Sequence, residues 1–486
     1  MGGRETTPQS TAAQPESTSW GWPVAERGVW RGRSRAWRIV VSVVILAVLV
    51  AGVVTAALLT EVDDDVAAAH EPPASPGGPN PGLLPLEEAA PVPDPAVLAR
   101  VLAPLADSPQ VGELTGSVVD DLTGRVLWER DPDAPRVPAS TTKLLTALAA
   151  LTQLPADARV DTVLARGAEP NTLVVVPGGD PTMSRGSEPG PLFPGAATIT
   201  QAADIVRASE IEPVRIIVAP GPYTGPTLGP GWSEGEIAAG NLAPIEPWML
   251  DAGRMDPADE YSPRYAEPSL AAGRILARQL GVDPDTVRVS SEPVETTEEL
   301  GRVSSAELVE RVRSMLVHSD NVLAEAICRE VASARDPERP ADFAAGTSAV
   351  VDTLAERGLD MTGVTLQDCS GMSSGNRIPA GVLTDVLHTA SGPEASRETR
   401  DLLDALPVAG GSGTLTDRFS GAAGAGAGWV RAKTGTLSGT SALAGTVTDV
   451  DGRSMSFALL SSGTDPAQAR PMLDRIAAEL RGCGCR

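Results

Sequence analysis

Lysine is almost absent from this chain. Of 39 basic residues in 486, only Lys143 and Lys433 are lysines; the rest are arginine. Arginine stays charged at any ordinary pH and cannot act as a base, whereas a desolvated lysine can lose its proton. Lysine kept at just these two places marks positions where arginine would fail. Histidine is nearly as scarce. His70, His318 and His388 are the whole supply, which leaves little for a zinc site or a histidine-based triad. Four cysteines are too few for a disulfide scaffold. Aromatics make up 3% of the chain, so a core must rest on Leu, Val, Ala and Ile. A net charge of −24 argues against a nucleic-acid partner, which needs a basic surface, and for a well-solvated exterior.

What is present divides the chain. Its length predicts two or three folded units, and 42% apolar residues suffice for a real core. Residues 1–38 are polar, rich in Ser, Thr, Gly, Pro and Arg, and read as a disordered cytoplasmic tail. Residues 39–60 carry no charge and are long enough to span a hydrocarbon core of about 30 Å as a transmembrane signal-anchor helix. Arginines precede this run, and Glu61, Asp63, Asp64 and Asp65 follow it. That asymmetry places the N-terminus in the cytoplasm and the rest outside. Val66-Ala67-Ala68-Ala69 resembles a cleavage site, so secretion after signal cleavage is the competing reading. Residues 61–94 read as a proline-rich extracytoplasmic spacer.

The folded part begins near Pro95. Ser117–Asp121 and Arg125–Glu129 flank Leu122-Thr123-Gly124 as a hairpin. An unbroken helical run is predicted from Ser140 to about Leu151, with Ser140 at its start. Residues 158–300 show short β-like runs separated by Gly and Pro, with one helical run from Pro268 to Leu280, and read as an inserted β-rich domain. Helical patterns return after Ser304-Ser305-Ala306-Glu307, a capping-box sequence. Residues 421–428 read as a flexible Gly/Ala loop. A strand from Trp429 to Thr436, a hairpin around Asp451-Gly452 and a helix opened by Asp465-Pro466 complete the chain. The expected fold is α+β: an antiparallel sheet flanked by helices, with a helical lobe. Residues 95–157 and 301–486 make up that domain.

Three short motifs carry chemistry. Ser140 and Lys143 are three residues apart, on one helix face, where a neutral lysine could take the serine proton. Alone, Ser-x-x-Lys is a capped helix with a solvated lysine more often than a nucleophile. Ser319-Asp320-Asn321 offers a hydroxyl for proton relay and an amide that both donates and accepts; alone it is a helix cap. Lys433-Thr434-Gly435 offers a cation and a hydroxyl for a carboxylate, beside a glycine that admits close backbone approach.

In this order the three motifs resemble the signature of penicillin-binding proteins and class A β-lactamases. The chain looks most like the class C low-molecular-mass penicillin-binding proteins, the D-alanyl-D-alanine carboxypeptidase/endopeptidase family of serine peptidases, with a β-lactamase/transpeptidase-like fold. Gly178-Gly179-Asp180-Pro181-Thr182, Asp368-Cys369-Ser370-Gly371-Met372-Ser373 with Asn376-Arg377, and Gly413-Thr414-Leu415 with Arg418 add to the resemblance, which covers roughly residues 95–480. The gap between Ser140 and Ser319 exceeds that of β-lactamases and is short for the family's two full inserts, which implies one insert, or two with one truncated. Cys369 stands where the family has glycine.

The resemblance implies roles. Ser140 is the acylated nucleophile and Lys143 its base. Ser319 and Asn321 handle proton relay and the substrate amide. Lys433, Thr434, Gly435 and Thr436 line the place of a terminal carboxylate, and the backbone N–H groups of Ser140 and Thr436 form an oxyanion hole. The implied partners are peptidoglycan peptides ending in D-Ala-D-Ala, β-lactams as inhibitors, and the membrane through the N-terminal helix. No cofactor or metal is implied. Outside the cytoplasm disulfides are permitted, and Cys328–Cys369 with Cys483–Cys485 is one pairing of three. Three rivals remain. A β-lactamase needs a deacylating Glu with Asn four residues later, and Glu169-Pro170-Asn171 has the wrong spacing. Gly371-Met372-Ser373-Ser374-Gly375 matches a hydrolase elbow, but Pro379 interrupts the helix that should follow. A catalytically silent cell-wall module would not need Ser140, Lys143 and Lys433 intact.

Overall fold

The computed structural model describes residues 90–186 and 192–485. The tail, the anchor and most of the spacer expected at 1–94 lie outside the described residues. Among the described residues no helix is long and apolar enough to cross a membrane.

In chain order, α1 (Pro95–Ala106) precedes the hairpin of β1 (Glu113–Asp120) and β2 (Val126–Arg130), followed by α2 (Lys143–Gln153). Next come β3 (Asp161–Gly167), β4 (Thr172–Val176), α3 (Ile199–Ala208), β5 (Arg215–Val218), α4 (Glu234–Ala238), α5 (Pro268–Leu280), β6 (Arg288–Val289) and β7 (Thr296–Ser304). The helices α6 (Leu308–Val317), α7 (Asn321–Arg335), α8 (Phe343–Glu356), α9 (Ala380–Ser391) and α10 (Arg397–Asp404) form the helical lobe. β8 (Val430–Leu437), β9 (Thr440–Thr448), β10 (Ser454–Ser462) and α11 (Pro466–Gly482) return to the first sheet.

That sheet is antiparallel throughout, in the order β2-β1-β10-β9-β8. Its central strands are buried on both faces, with small Ser, Thr, Gly and Ala residues set among the larger apolar ones. Strand alternation sends Met455, Phe457 and Leu459 of β10 to one face and Ala458 and Leu460 to the other. On the first face lie α1 and α11, through Leu98, Leu102, Leu473 and Ile476. On the second lies the lobe, centred on α2. Every residue of α2 from Lys143 to Leu151 is buried, as expected of a helix apolar on all sides.

Residues 161–304 build a second, mixed sheet, β6-β5-β4-β3-β7, with α3 and α5 packed on it around Leu173, Ile216, Trp248 and Leu276. The sequence reading missed α3, although its capping box is intact: Thr198 accepts from Gln201 N–H, and the Gln201 side chain accepts from Thr198 N–H.

Three local expectations need correction. Ser140 does not open an α-helix; it lies in a 3-10 turn, Ala139–Thr142, and the α-helix starts at Lys143. The Thr141 and Thr142 hydroxyls donate to the Pro138 and Ala139 carbonyls and stabilise the tighter turn. The capping box at 304–307 does not form, because Ser304 closes β7 and its hydroxyl donates to Asp161 Oδ1 at 2.6 Å, so that Glu307 stands at the cap position of α6 instead. The Gly/Ala stretch also holds regular structure, a 3-10 helix over Gly421–Gly426.

Candidate active site

Three elements converge on one cleft of about 1090 Å³: the turn before α2, the turn before α7, and β8. The first turn carries Ser140, half-buried at the cleft wall. Its neighbour Ala139 has φ 47°, a left-handed conformation that costs a non-glycine residue about 1–3 kcal/mol. Gly371 packs against this turn; with φ +87°, a Cβ there would lie 1.9 Å from the Ala139 carbonyl oxygen. Gly435 of β8 makes the other close approach, its virtual Cβ 2.6 Å from the Pro138 oxygen. A glycine in Lys-Thr-Gly is therefore required for strand and nucleophile turn to meet.

Lys143 is fully buried. Its Nζ donates to Ser140 Oγ at 3.1 Å, to Asn321 Oδ1 at 2.6 Å and to the Ser370 carbonyl at 2.6 Å. Burial pulls its pKa down to about 8, against the carboxylates of Asp368, Asp320 and Glu325, which favour its charged form. Lys143 thus gives up its proton more readily than an ordinary lysine, and it does so in contact with a serine hydroxyl. Lys433, also fully buried, donates to Ser319 Oγ at 2.8 Å and to its neighbour's carbonyl, that of Thr434, at 2.9 Å. Burial, then the positive charges of Lys143 and Arg418, hold its pKa well below the ordinary lysine range. An anion arriving beside Lys433 would reverse that effect.

Asp320 caps α7 through Leu323 N–H. This places Ser319 and Asn321 on either side of a helix start, with Ser319 at φ 55°. Asn321 Nδ2 donates to the Asn241 carbonyl at 2.7 Å, which turns Oδ1 toward Lys143. Thr434 Oγ1 donates to Thr414 Oγ1 at 3.0 Å, and Arg470 Nε donates to Thr436 Oγ1 at 3.2 Å. Ser140, Ser319, Asn321, Thr434 and Thr436 all line the cleft. Lys143 contacts Ser140 and Asn321, Lys433 contacts Ser319, and Gly435 meets the turn that carries Ser140, so the eight residues the sequence offered for catalysis and substrate binding meet at this one site.

Sequence reasoning missed the supports. Glu325 stands one turn after Asn321 on α7, fully buried, and its Oε1 accepts from both Cys369 and Ser370 N–H at 2.8 and 2.9 Å. Those two bonds orient the Ser370 carbonyl that Lys143 uses. The signal was the i+4 spacing from Asn321 on a buried helix face. Cys369, with no left-handed backbone, pairs with Cys328 of α7 and ties the same loop from a second side. Cys483 pairs with Cys485. Asp368 accepts from Gly371 N–H, Ser373 N–H and Trp232 Nε1–H. Glu236, Asn241, Arg254, Glu260, Tyr261 and Arg264, all from the region between the first two motifs, form a cleft wall that no motif announced. The elbow-like serine, Ser373, is buried and donates to Gln367 Oε1. His318 is exposed on the cleft rim.

A serine beside a buried lysine, at the foot of an antiparallel sheet and against a helical lobe, places the molecule among the serine enzymes of β-lactamase/transpeptidase-like fold. The chain belongs to the D-Ala-D-Ala carboxypeptidase 3 (S13) family, whose profile it matches over residues 97–262 and 258–481. It is 43% identical over 462 residues to carboxypeptidase DacB of Mycolicibacterium smegmatis, covering 94% of this chain and 98% of that one. Identity to a carboxypeptidase of Mycobacterium tuberculosis is 42% over 423 residues, covering 86% and 90%. In fold it is similar to the crystal structure of penicillin-binding protein 4 (dacB) from Haemophilus influenzae. There the TM-score is 0.64 at 20% identity, over 80% of this chain and 98% of that one.

Proposed function

We propose that the protein is a serine-type D-Ala-D-Ala carboxypeptidase acting on peptidoglycan stem peptides. The observation that carries the reading is the 3.1 Å contact between Lys143 Nζ and Ser140 Oγ inside a fully buried lysine environment. The family membership and the carboxypeptidase relatives support it.

Neutral Lys143 takes the Ser140 proton as Oγ attacks the carbonyl of the penultimate D-Ala. The Ser140 and Thr436 N–H groups receive the oxyanion; single donors of this kind are worth about 3 kcal/mol. Asn321 holds the substrate amide. Lys433, Thr434 and Thr436 hold the terminal carboxylate, with Gly435 leaving room beside the strand. The proton passes through Ser319 to the leaving amine, D-Ala departs, and water cleaves the Ser140 ester. A β-lactam enters the same cycle at acylation and leaves slowly. Cleavage of cross-linked peptides uses the same chemistry with a longer leaving group. The region 158–300 is read as an inserted domain, and 39–60 as an uncleaved anchor that holds the enzyme outside the cytoplasm. Membrane fractionation of the full chain tests the anchor: recovery of the intact chain in the soluble fraction would rule it out.

The substrate reading is tested by incubating the enzyme with a peptide ending in D-Ala-D-Ala. Release of free D-Ala is expected. Hydrolysis of simple esters without D-Ala release would overturn the substrate assignment.

A further inference from the structure

We propose that Arg254 is a positioning residue for this reaction: its ion pair with Asp320 fixes the turn that presents Ser319 and Asn321 to the cleft. The inference rests on the function proposed above and assigns part of the active site to the region between the first two motifs.

Asp320 stands between the two residues that touch the lysines, and both of its oxygens are engaged. Oδ1 accepts from Leu323 N–H at 2.9 Å and starts α7. Oδ2 accepts from Arg254 Nη2 at 3.0 Å. Both partners are almost fully buried, at 4% exposure each. Burial would push the Asp320 carboxyl up, but Arg254 and Arg264 outweigh it and keep Asp320 below the usual carboxylate range. The turn needs such a hold, because Ser319 at φ 55° occupies a conformation that isolated backbone disfavours.

Arg254 is itself anchored from behind. Its Nη1 donates to the Asp251 carbonyl at 3.2 Å, and Arg185 Nε donates to Asp251 Oδ2 at 2.9 Å. Asp251 N–H donates in turn to the Met183 carbonyl at 2.8 Å. The same wall reaches the neighbouring motif residue, since the Asn241 carbonyl accepts from Asn321 Nδ2. Arg264 Nη2 steadies that wall by donating to the Gly240 carbonyl at 2.8 Å. Two consecutive residues of Ser-Asp-Asn are thereby held by groups 66 and 80 positions upstream.

A buried ion pair could equally serve stability alone, and two variants separate the roles. Arg254→Met leaves Asp320 without its partner. Arg254→Met with Asp320→Asn removes both charges of the pair, asparagine can still cap α7, and Arg264, which also faces Asp320, keeps its hydrogen bonds to the Ala252 and Gly240 carbonyls. The readouts are the rate of Ser140 acylation by a fluorescent penicillin, kcat and KM for D-Ala release, and the melting temperature. Arg254→Met should slow acylation and lower kcat about 100-fold, the effect of a misplacement near 1 Å, with KM little changed. The double variant should regain thermal stability yet stay slow. Wild-type acylation by either folded variant, or recovery of rate together with stability in the double variant, would overturn the inference. If Arg254→Met does not fold, the double variant decides alone. Absence of acylation at Ser140 in the wild-type protein would instead sink the functional reading itself.

Discussion

At the scale of residues, the two lysines divide the chemistry between them. Lys143 must give up a proton, and burial brings that within reach near pH 8. Below that pH the neutral fraction falls about tenfold per unit, so acylation should rise by that factor per unit and level off above about 8. Stopped-flow acylation from pH 5 to about 10 checks this; a flat profile would remove Lys143 as base. The same shift affects stability. A folded pKa below the unfolded value of about 10.4 means that the unfolded chain holds the proton more tightly, so this group's contribution to stability grows as pH rises from about 8 to about 10.4. Lys143→Arg leaves a permanent cation with no base and should cut acylation by about 10²–10⁴-fold. Lys433→Arg keeps the charge beside Thr434, so its main effect should be a raised KM for peptides with a free terminal carboxylate. Equal losses of acylation rate in both variants would contradict the division of roles. The scarcity of lysine pointed to both residues, but the sequence could not tell that each is fully buried, because a Lys in a polar motif looks solvated until its neighbours are placed around it.

At the scale of elements, the site is the meeting of two helix starts and one strand. The strand must come close, and Gly435 is the residue that lets it. Gly435→Ala would put a methyl 2.6 Å from the Pro138 oxygen and should cost about 1–3 kcal/mol in thermal or urea unfolding, with a slower acylation rate. Unchanged stability and rate would show that strand and turn do not depend on this contact. The strands and most helices that carry motifs were legible, because apolar periodicity and turn residues act locally. Ser304 shows where such legibility ends: its capping-box pattern with Glu307 is intact in sequence, yet it closes β7 and its hydroxyl donates to Asp161 Oδ1 on another segment. The 3-10 turn at Ser140 is another case, since packing against Gly371 and Gly435 joins the Thr141 and Thr142 hydroxyl bonds in setting it.

At the scale of the whole molecule, the motifs lie far apart in the chain and meet only through the fold. The first sheet brings β1 and β2 from the start of the folded part beside β10 near its end. Between the first two motifs runs a second sheet whose loops supply a wall of the cleft. Apart from residues 178–182, the sequence marked that region only by texture, since its contacts to the site use backbone carbonyls such as Asn241 O and scattered arginines, which carry no pattern. What unites the account is that one serine, beside one buried lysine, becomes covalently acylated. Peptide mass spectrometry after brief exposure to a penicillin measures this most directly. The account predicts one adduct, on the peptide containing Ser140, which disappears in Ser140→Ala; an adduct on another residue, or none on a folded wild-type protein that still releases D-Ala, would contradict it.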